Sequence, residues 1–330
     1  MDLSTKYMGF DLPHPLMPGA SPLVDDLDTV KRLEDAGAAA IVMHSLFEEQ
    51  ITIEQMGTLR DIETHAESFA EATSYFPRAD EYRLGPDKYL EQIRKIKKAV
   101  RIPVIASLNG TTVAGWLRYA HLMEEAGADA LELNVYYLAT ELHESSERVE
   151  RRTLDIVRAV KKSVKIPVSV KLSPFFSSLA HFASQLDEVN ADGVVLFNRF
   201  YQPDIDAETL DVVPRLNLSD SDELLLRIRW TAILSGRVVA SLGISGGVHT
   251  PLDAVKAVMS GAHGIQIVSA LLKNGPGHLR TMLDGMRSWL EKHEYESLGQ
   301  MRGSMSLQTA PNPSAFERAN YMRVLNAWRP

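Results

Sequence analysis

The chain has 330 residues, 45% of them hydrophobic, with 43 acidic and 35 basic side chains for a formal net charge of −8. That composition is ample for a large buried core, while the acidic balance and scattered Lys and Arg argue against a nucleic-acid surface. There is no cysteine, so disulfides, thiolate metal ligands and a cysteine nucleophile are all excluded.

The opening "MDLSTKYMGFDLPHPLMPGAS" has neither a basic n-region nor a long apolar stretch. No apolar run approaches the roughly 20 residues of a membrane-spanning helix. A cytoplasmic protein without a membrane partner is the expectation. In chain order, "PLMPGAS" (15–21) is a first short apolar run, and a 3.6-residue periodicity over 27–35 follows it. "AGAAAIVMHS" (36–45) is the second run, and a polar stretch over 48–86 separates it from a helical pattern at 88–100. "RIPVIASLNG" (101–110), a helix over 113–126, "AGADALELNV" (126–135), a helix over 148–164 and "KIPVSVKLSP" (165–174) come next. A helix over 179–189 leads to "NADGVVLFNR" (190–199), then an acidic stretch over 201–222 with two prolines. The chain continues with a helix over 223–234, "GRVVASLGIS" (236–245), a helix over 252–260, "SGAHGIQIVS" (260–269) and a helix over 277–292. A tail with helical character occupies 295–330 and is expected to pack on the body or on a neighbouring subunit.

Two sequence designs therefore recur, which is the signature of a repeated unit. Strands that are apolar throughout suit a parallel sheet covered by helices. Eight strand–helix units predict an α/β fold, a TIM (β/α)8 barrel forming a single domain over 1–330, with a doubly wound sheet as the alternative. The long connections 48–86 and 201–222 then follow strands and lie on the catalytic face, where such loops serve as lids.

On this fold the chemistry sits at the C-terminal ends of strands. Those ends read Ala20-Ser21, His44-Ser45, Ser107 with Asn109, Asn134, Lys171, Asn198, Ser245-Gly246-Gly247 and Val268-Ser269. This ring of amides, hydroxyls and one lysine has no carboxylate pair for glycoside hydrolysis and no metal-ligand spacing, so no metal is expected. In "GISGGVHTPLDAV" two glycines free backbone N–H groups, a helix opens near Thr250-Pro251, and Ser269 stands alongside. That is the position at which these barrels hold a phosphate. Lys171 costs desolvation in an apolar strand unless a charge or an electron-rich ligand meets it. It is read as a Schiff-base lysine, as the partner of a reduced flavin's anionic edge, or as a structural lysine paired with a buried acid.

"SLNGTT", "EEAGADALELN", "IPVSVKLSP", "SGGVHTPLDAVKAVMSGAHGIQIVSALLKNGP" and "PLMPGAS" together resemble the FMN-binding dihydroorotate dehydrogenases, over about residues 3–290. The resemblance implies a TIM barrel, FMN as cofactor, oxidation or reduction of a CH–CH or C=C bond, and a small pyrimidine-like substrate such as dihydroorotate. It implies that Ala20, Ser21 and Ser45 line the flavin, that Lys171 meets its pyrimidine ring, and that Gly246, Gly247 and Ser269 hold its phosphate. His44, Ser107, Asn109, Asn134, Asn198, Ser245 and Val268 complete the expected cofactor site. The resemblance also implies a homodimer and leaves the electron acceptor open.

Several positions depart from that pattern. The family follows its strand-four Asn with Ser-Cys-Pro-Asn or a serine version, and this chain has "YYLA", which puts Tyr137 at the position of the base. His44 stands for a lysine, and "DSDELLLRIRWTAIL" stands for a glycine-rich loop. These changes resemble a divergent, dihydroorotate dehydrogenase-like subgroup that keeps the flavin site and lacks part of the catalytic set. Free tyrosine has a pKa of about 10, so roughly one in a thousand is ionised at pH 7, and its use as a base costs about 4 kcal/mol. A neutral phenol is by contrast already a competent proton donor. Tyr137, Lys171 and Asn134 are thus the expected catalytic residues, with reduction of an electron-poor C=C bond the easier direction. The alternatives are a flavin-holding homologue without activity and a lyase using Lys171 as a Schiff base.

Overall fold

The computed structural model describes residues 1–48, 86–110, 112–199 and 202–327. Twelve strands are seen among them. Two short ones, β1 (Thr5–Tyr7) and β2 (Phe10–Leu12), form an antiparallel hairpin. Eight others form one parallel sheet: β3 (Leu16–Pro18), β4 (Ile41–Phe47), β5 (Val104–Asn109), β6 (Ala130–Asn134), β7 (Val168–Leu172), β8 (Gly193–Leu196), β11 (Ser241–Ser245) and β12 (Gly264–Ile267). Their order in space is β3-β12-β11-β8-β7-β6-β5-β4. The two ends meet where Ala39 N donates to Leu16 O at 3.0 Å, so the sheet curls into the expected TIM barrel. Helices lie between the strands, and both faces of the sheet are buried, which is why the strands read as continuous apolar runs. Tyr7 plugs the end of the barrel at which the strands begin. A Cβ on Gly243 or Gly264 would lie 3.0 Å from its ring or hydroxyl, so both positions need to be side-chain-free.

The repeated sequence designs have a physical reason. At the N-terminal ends of strands, a carboxylate from one unit accepts the first free N–H of another. Asp129 takes Val104 N (2.7 Å), Asp192 takes Val168 N (2.7 Å), and Glu124 takes Lys165 N (2.7 Å). Asp187 takes Val239 N (2.8 Å) and Ala240 N (2.9 Å), and Glu34 takes Arg101 N (2.7 Å). Lys97 and Lys161, from the basic helix ends noted in the sequence, pair with Asp129 and Asp192. Each unit thereby ties the start of a strand to its neighbour and satisfies donors that a buried strand end must satisfy.

Helix starts follow from capping residues. Asp26 accepts from Thr29 N for the helix Leu27–Asp35, and Ser145 accepts from Arg148 N for Ser146–Ser163. That second helix begins two residues before the periodicity suggests, because its first turn is polar. The stretch 201–222 contains an antiparallel hairpin, β9 (Pro203–Asp206) with β10 (Asp211–Pro214), whose Ile205, Leu210 and Val212 are exposed. The lid expected over 48–86 falls almost entirely outside the described residues. The tail splits in two. Its first part is stitched to the barrel by Gly303 N to Val258 O, Met305 N to Met259 O and Leu307 N to Ala232 O, whereas the helix Ala319–Ala327 exposes Tyr321, Met322 and Val324. Among the described residues no helix is long and apolar enough to cross a membrane.

Two buried histidines make the fold acid-sensitive. His14 Nδ1 accepts from Leu16 N at 3.2 Å and His263 Nδ1 from Leu242 N at 3.1 Å. Burial holds both imidazoles down to about 4. With the folded value below the unfolded one, about 6.5, the unfolded chain takes up protons first as pH falls. Their stabilisation is complete above pH 6.5 and is lost progressively between pH 6.5 and 4. At pH 5 the loss from His14 is on the order of 2 kcal/mol, and His263 adds to it with the same sign. Urea unfolding at pH 7.5 and pH 5 is expected to show a lower midpoint at pH 5, with the drop reduced in His14→Asn; equal midpoints in the parent protein would contradict this account.

Candidate flavin site at the strand ends

The C-terminal ends of the strands carry a connected polar layer. Ser45 Oγ and Ser107 Oγ are 2.8 Å apart, Asn134 Nδ2 donates to Ser45 Oγ at 2.9 Å, and Asn198 Nδ2 donates to Asn134 Oδ1 at 2.6 Å. Four strands thus hold their terminal side chains in one chain of hydrogen bonds, which fixes both amide orientations. One layer deeper, Lys171 Nζ donates to Glu132 Oε1 at 3.2 Å and to Gln266 Oε1 at 3.1 Å, and Gln266 Nε2 donates to Glu132 Oε2. All three side chains are buried. Both contacts of the lysine are oxygen acceptors, the surroundings of an ammonium ion and not of a nucleophilic amine. The Schiff-base reading of Lys171 is therefore corrected, and a buried acid does meet the lysine.

A cavity of about 700 Å³ opens above this layer, within the range of ligand pockets. Of the residues singled out in the sequence, Ala20, Ser21, Lys171, Asn198, Ser245, Gly246, Val268 and Ser269 line it. Ser45, Ser107 and Asn134 reach it through the hydrogen-bond chain that ends on Asn198. Two buried polar atoms on the strand ends, Ser21 Oγ and Asn109 Nδ2, have no partner among the described residues. Such atoms are expected where a ligand supplies the missing bonds.

At the other end of the cavity the turn after β11 carries Gly246 (φ +89°) and Gly247 (φ +81°). Gly247 is required by packing, since a Cβ there would lie 2.4 Å from Leu224 N. The N–H groups of both glycines have no acceptor among the described residues. The helix Pro251–Ser260 begins where the sequence suggests, and its start is capped. Asp253 closes its start by accepting from His249 N and Thr250 N, and it also accepts from Ser221 Oγ at 2.7 Å. Burial pushes Asp253 up, but these hydrogen bonds outweigh it and hold the carboxyl below its usual range. Ser269 Oγ accepts from Ser219 N at 3.1 Å, and Lys273 Nζ donates to Ser219 O at 3.1 Å. The segment after the hairpin is so pinned beside the glycine turn. Ser219 Oγ lies 3.1 Å from His249 Nε2, and burial together with Lys273 holds that imidazole below its usual range.

Four predicted residues, His44, Asn109, Tyr137 and Gly247, stand away from the cavity lining. His44 Nδ1 lies 2.7 Å from Asp25 Oδ1, and its ring stands edge-on to Tyr89 with centroids 5.1 Å apart. Tyr137, 41% exposed, donates to Glu144 Oε2 at 2.5 Å, and the Arg152 guanidinium lies over its ring, 4.7 Å from the centroid. Arg152 also pairs with Glu144. The Tyr137 hydroxyl, with Arg152 second, holds the Glu144 carboxyl below its usual range. Sequence reasoning missed Glu132, Gln266, Asp25 and Ser219. For Glu132 a signal existed: it lies two residues before Asn134 in an apolar strand and so shares its face. Gln266, a polar residue inside "GIQIVS", was legible in the same way.

Fold and site together define an α/β barrel whose largely apolar cavity has a lysine at its floor and Gly246 in its wall. The family described as "Dihydroorotate dehydrogenase" matches residues 82–290, and the chain belongs to it. A protein of Thermoplasma volcanium named "Dihydroorotate dehydrogenase B (NAD(+)), catalytic subunit" is 29% identical over 315 residues, covering 92% of this chain and 98% of that one. The protein of the same name in Methanocaldococcus jannaschii is 24% identical over 315 residues, covering 88% and 94%. "NAD-dependent dihydropyrimidine dehydrogenase subunit PreA" of Escherichia coli (strain K12) is 24% identical over 334 residues, covering 94% and 78%. These relatives are dehydrogenases that act on CH–CH donors, and the family reading stands over that of a barrel lyase.

The buried ion pair gives a stability prediction. Glu132→Gln keeps volume and hydrogen-bonding capacity but leaves the Lys171 charge uncompensated, and a loss of about 3–5 kcal/mol is expected. Glu132→Gln with Lys171→Met should recover much of it. Chemical denaturation of the single and double variants measures both, and a single variant as stable as the parent would show that the pair is not what keeps the charge in place.

Proposed function

We propose that this chain is an FMN-dependent oxidoreductase acting on the CH–CH or C=C bond of a small planar, pyrimidine-like compound, dihydroorotate among them. The observation that carries this reading is one cavity with Lys171 at its floor and the unengaged Gly246 N–H, with Ser245 and Ser269, at its far end. A flavin mononucleotide has the matching parts: an electron-poor ring system at one end and a phosphate at the other. Ser21 Oγ, which lines the cavity and has no partner among the described residues, fits the same group, which offers carbonyl and ring-nitrogen acceptors. When bound, FMN supplies the hydride acceptor or donor that no amino-acid side chain can supply.

The chain's own residues do the rest. Lys171, fixed by Glu132 and Gln266, places a positive charge where negative charge develops on a reduced ring. Asn134 and Asn198, each locked by the hydrogen-bond chain, present amide groups to a planar substrate rich in C=O and N–H. The departures at Tyr136, Tyr137 and His44 support the reading of a divergent branch of the family. In this reading Tyr137 gives its phenol proton to the substrate, and its contact with Glu144 at the surface is the link through which solvent restores that proton. Because a neutral phenol donates more readily than its anion forms, alkene reduction is the favoured direction. The relatives' names describe catalytic subunits of NAD-dependent enzymes, and a second subunit is the proposed route between this flavin and a nicotinamide. A homodimer of the barrel and a cytoplasmic location belong to the same reading.

An anaerobic absorbance titration of the purified protein tests it. Bleaching of the oxidised flavin band by dihydroorotate or dihydrouracil, or reoxidation of the reduced band by orotate or uracil, is the expected result. A yellow protein inert to all four would defeat the pyrimidine reading, and a colourless one that takes up no FMN would defeat the cofactor assignment. Tyr137→Phe is expected to slow turnover by about 10²-fold or more, the usual worth of a proton-transfer group, with flavin binding retained. Unchanged turnover in that variant would remove Tyr137 from the chemistry.

A further inference from the structure

The helix Leu224–Leu234 buries a guanidinium that the proposed chemistry does not use. Arg227 is 5% exposed. Its Nε donates to the Ser245 carbonyl at 2.8 Å and its Nη1 to the Glu223 carbonyl at 2.7 Å. Its Nη2 lies against Gly246: a Cβ on that glycine would fall 3.0 Å from Nη2 and 3.3 Å from the guanidinium carbon. Among the described residues the carboxylate nearest to Nη2 is that of Glu223, at 3.8 Å, and it sits closer to Arg199, at 3.1 Å. A positive charge is therefore held directly behind the Ser245–Gly246 turn, whose opposite side lines the cavity.

Burying such a charge is costly unless an anion answers it. As a strut between the helix and the end of β11, Arg227 uses only part of its five-donor guanidinium on the two carbonyl oxygens. Arginine keeps its charge even when burial works against it, as it does here. What the charge adds is a field through the turn, aimed at whatever lies against the Gly246 N–H. A phosphate gains from that field, while an uncharged hydroxymethyl end gains almost nothing.

Resting on the FMN reading above, we infer that Arg227 makes the cavity selective for the phosphorylated flavin over riboflavin. It acts as a positioning charge behind the turn without touching the ligand. At the effective dielectric of a protein interior, one charge pair held several ångströms apart is worth on the order of ten- to hundredfold in affinity. The discrimination resides in the phosphate end alone, so riboflavin affinity reports on the fold of the cavity and FMN affinity on fold plus charge.

The experiment strips the purified protein of flavin and titrates it with FMN and with riboflavin, following quenching of flavin fluorescence. Arg227→Gln is expected to weaken FMN ten- to hundredfold with riboflavin unchanged, and Arg227→Lys to retain most of the preference. Glu223→Gln removes the carboxylate near Nη2 and is expected to shift the preference the other way, towards tighter FMN; it keeps the test alive if Arg227→Gln does not fold. Equal weakening of both flavins by Arg227→Gln assigns the residue a structural role and overturns the inference, as does an unchanged FMN-to-riboflavin ratio in Glu223→Gln. A parent protein that binds both flavins equally overturns the inference while leaving flavin binding intact. A parent protein that binds neither overturns the FMN reading as well.

Discussion

The constraint on which the site depends is that a lysine placed inside a closed barrel must find an acid there. Lys171 points into an interior with no bulk water, and its charge is tolerated because Glu132 stands on the adjacent strand at 3.2 Å and Gln266 completes the contact from across the barrel. That arrangement has two consequences. It keeps an ammonium ion, poor as a nucleophile and good as a counter-charge, at the floor of the cavity. It also makes one polar layer rigid, so the layer above it, Ser107, Ser45, Asn134 and Asn198, is built on a fixed base. Low dielectric strengthens every bond in such a network and makes each missing partner costly. A ligand that pairs with Ser21 is stabilised by the same logic.

The cavity separates its tasks along its length. In the proposed function, charge stabilisation falls to Lys171 at the barrel centre and anion recognition to the glycine turn, while Tyr137 lies outside the lining. Tyr137 is bound into a surface group with Glu144 and Arg152, and the His44–Asp25 pair forms a second group on the side of β4 facing Tyr89. The residues that line the cavity and these two groups are held by separate hydrogen-bond networks, so under the proposed function cofactor binding and proton handling fall to different sets of side chains.

Much of the site was legible from position alone. Once eight apolar runs were counted, the last polar residue of each run was a site candidate, and Ala20, Ser21, Lys171, Asn198, Ser245, Gly246, Val268 and Ser269 do meet around one cavity. The reading failed where a strand's polar residue lies one layer below its end, as Glu132 and Gln266 do. The helix start read near Thr250-Pro251 is there, closed by a capping box between Thr250 and Asp253.

By itself, then, the sequence determined the barrel, its strand ends and the presence of a glycine turn after β11. These follow from short-range periodicity and from backbone conformations that only glycine adopts readily. The tertiary structure alone decided which charges answer one another. Glu132 and Gln266 are separated by 134 residues, and Arg227 reaches the carbonyl of Ser245 18 residues on. Only closing the barrel brings such groups within hydrogen-bonding distance, and electrostatic energy depends on that distance and on burial rather than on position in the chain.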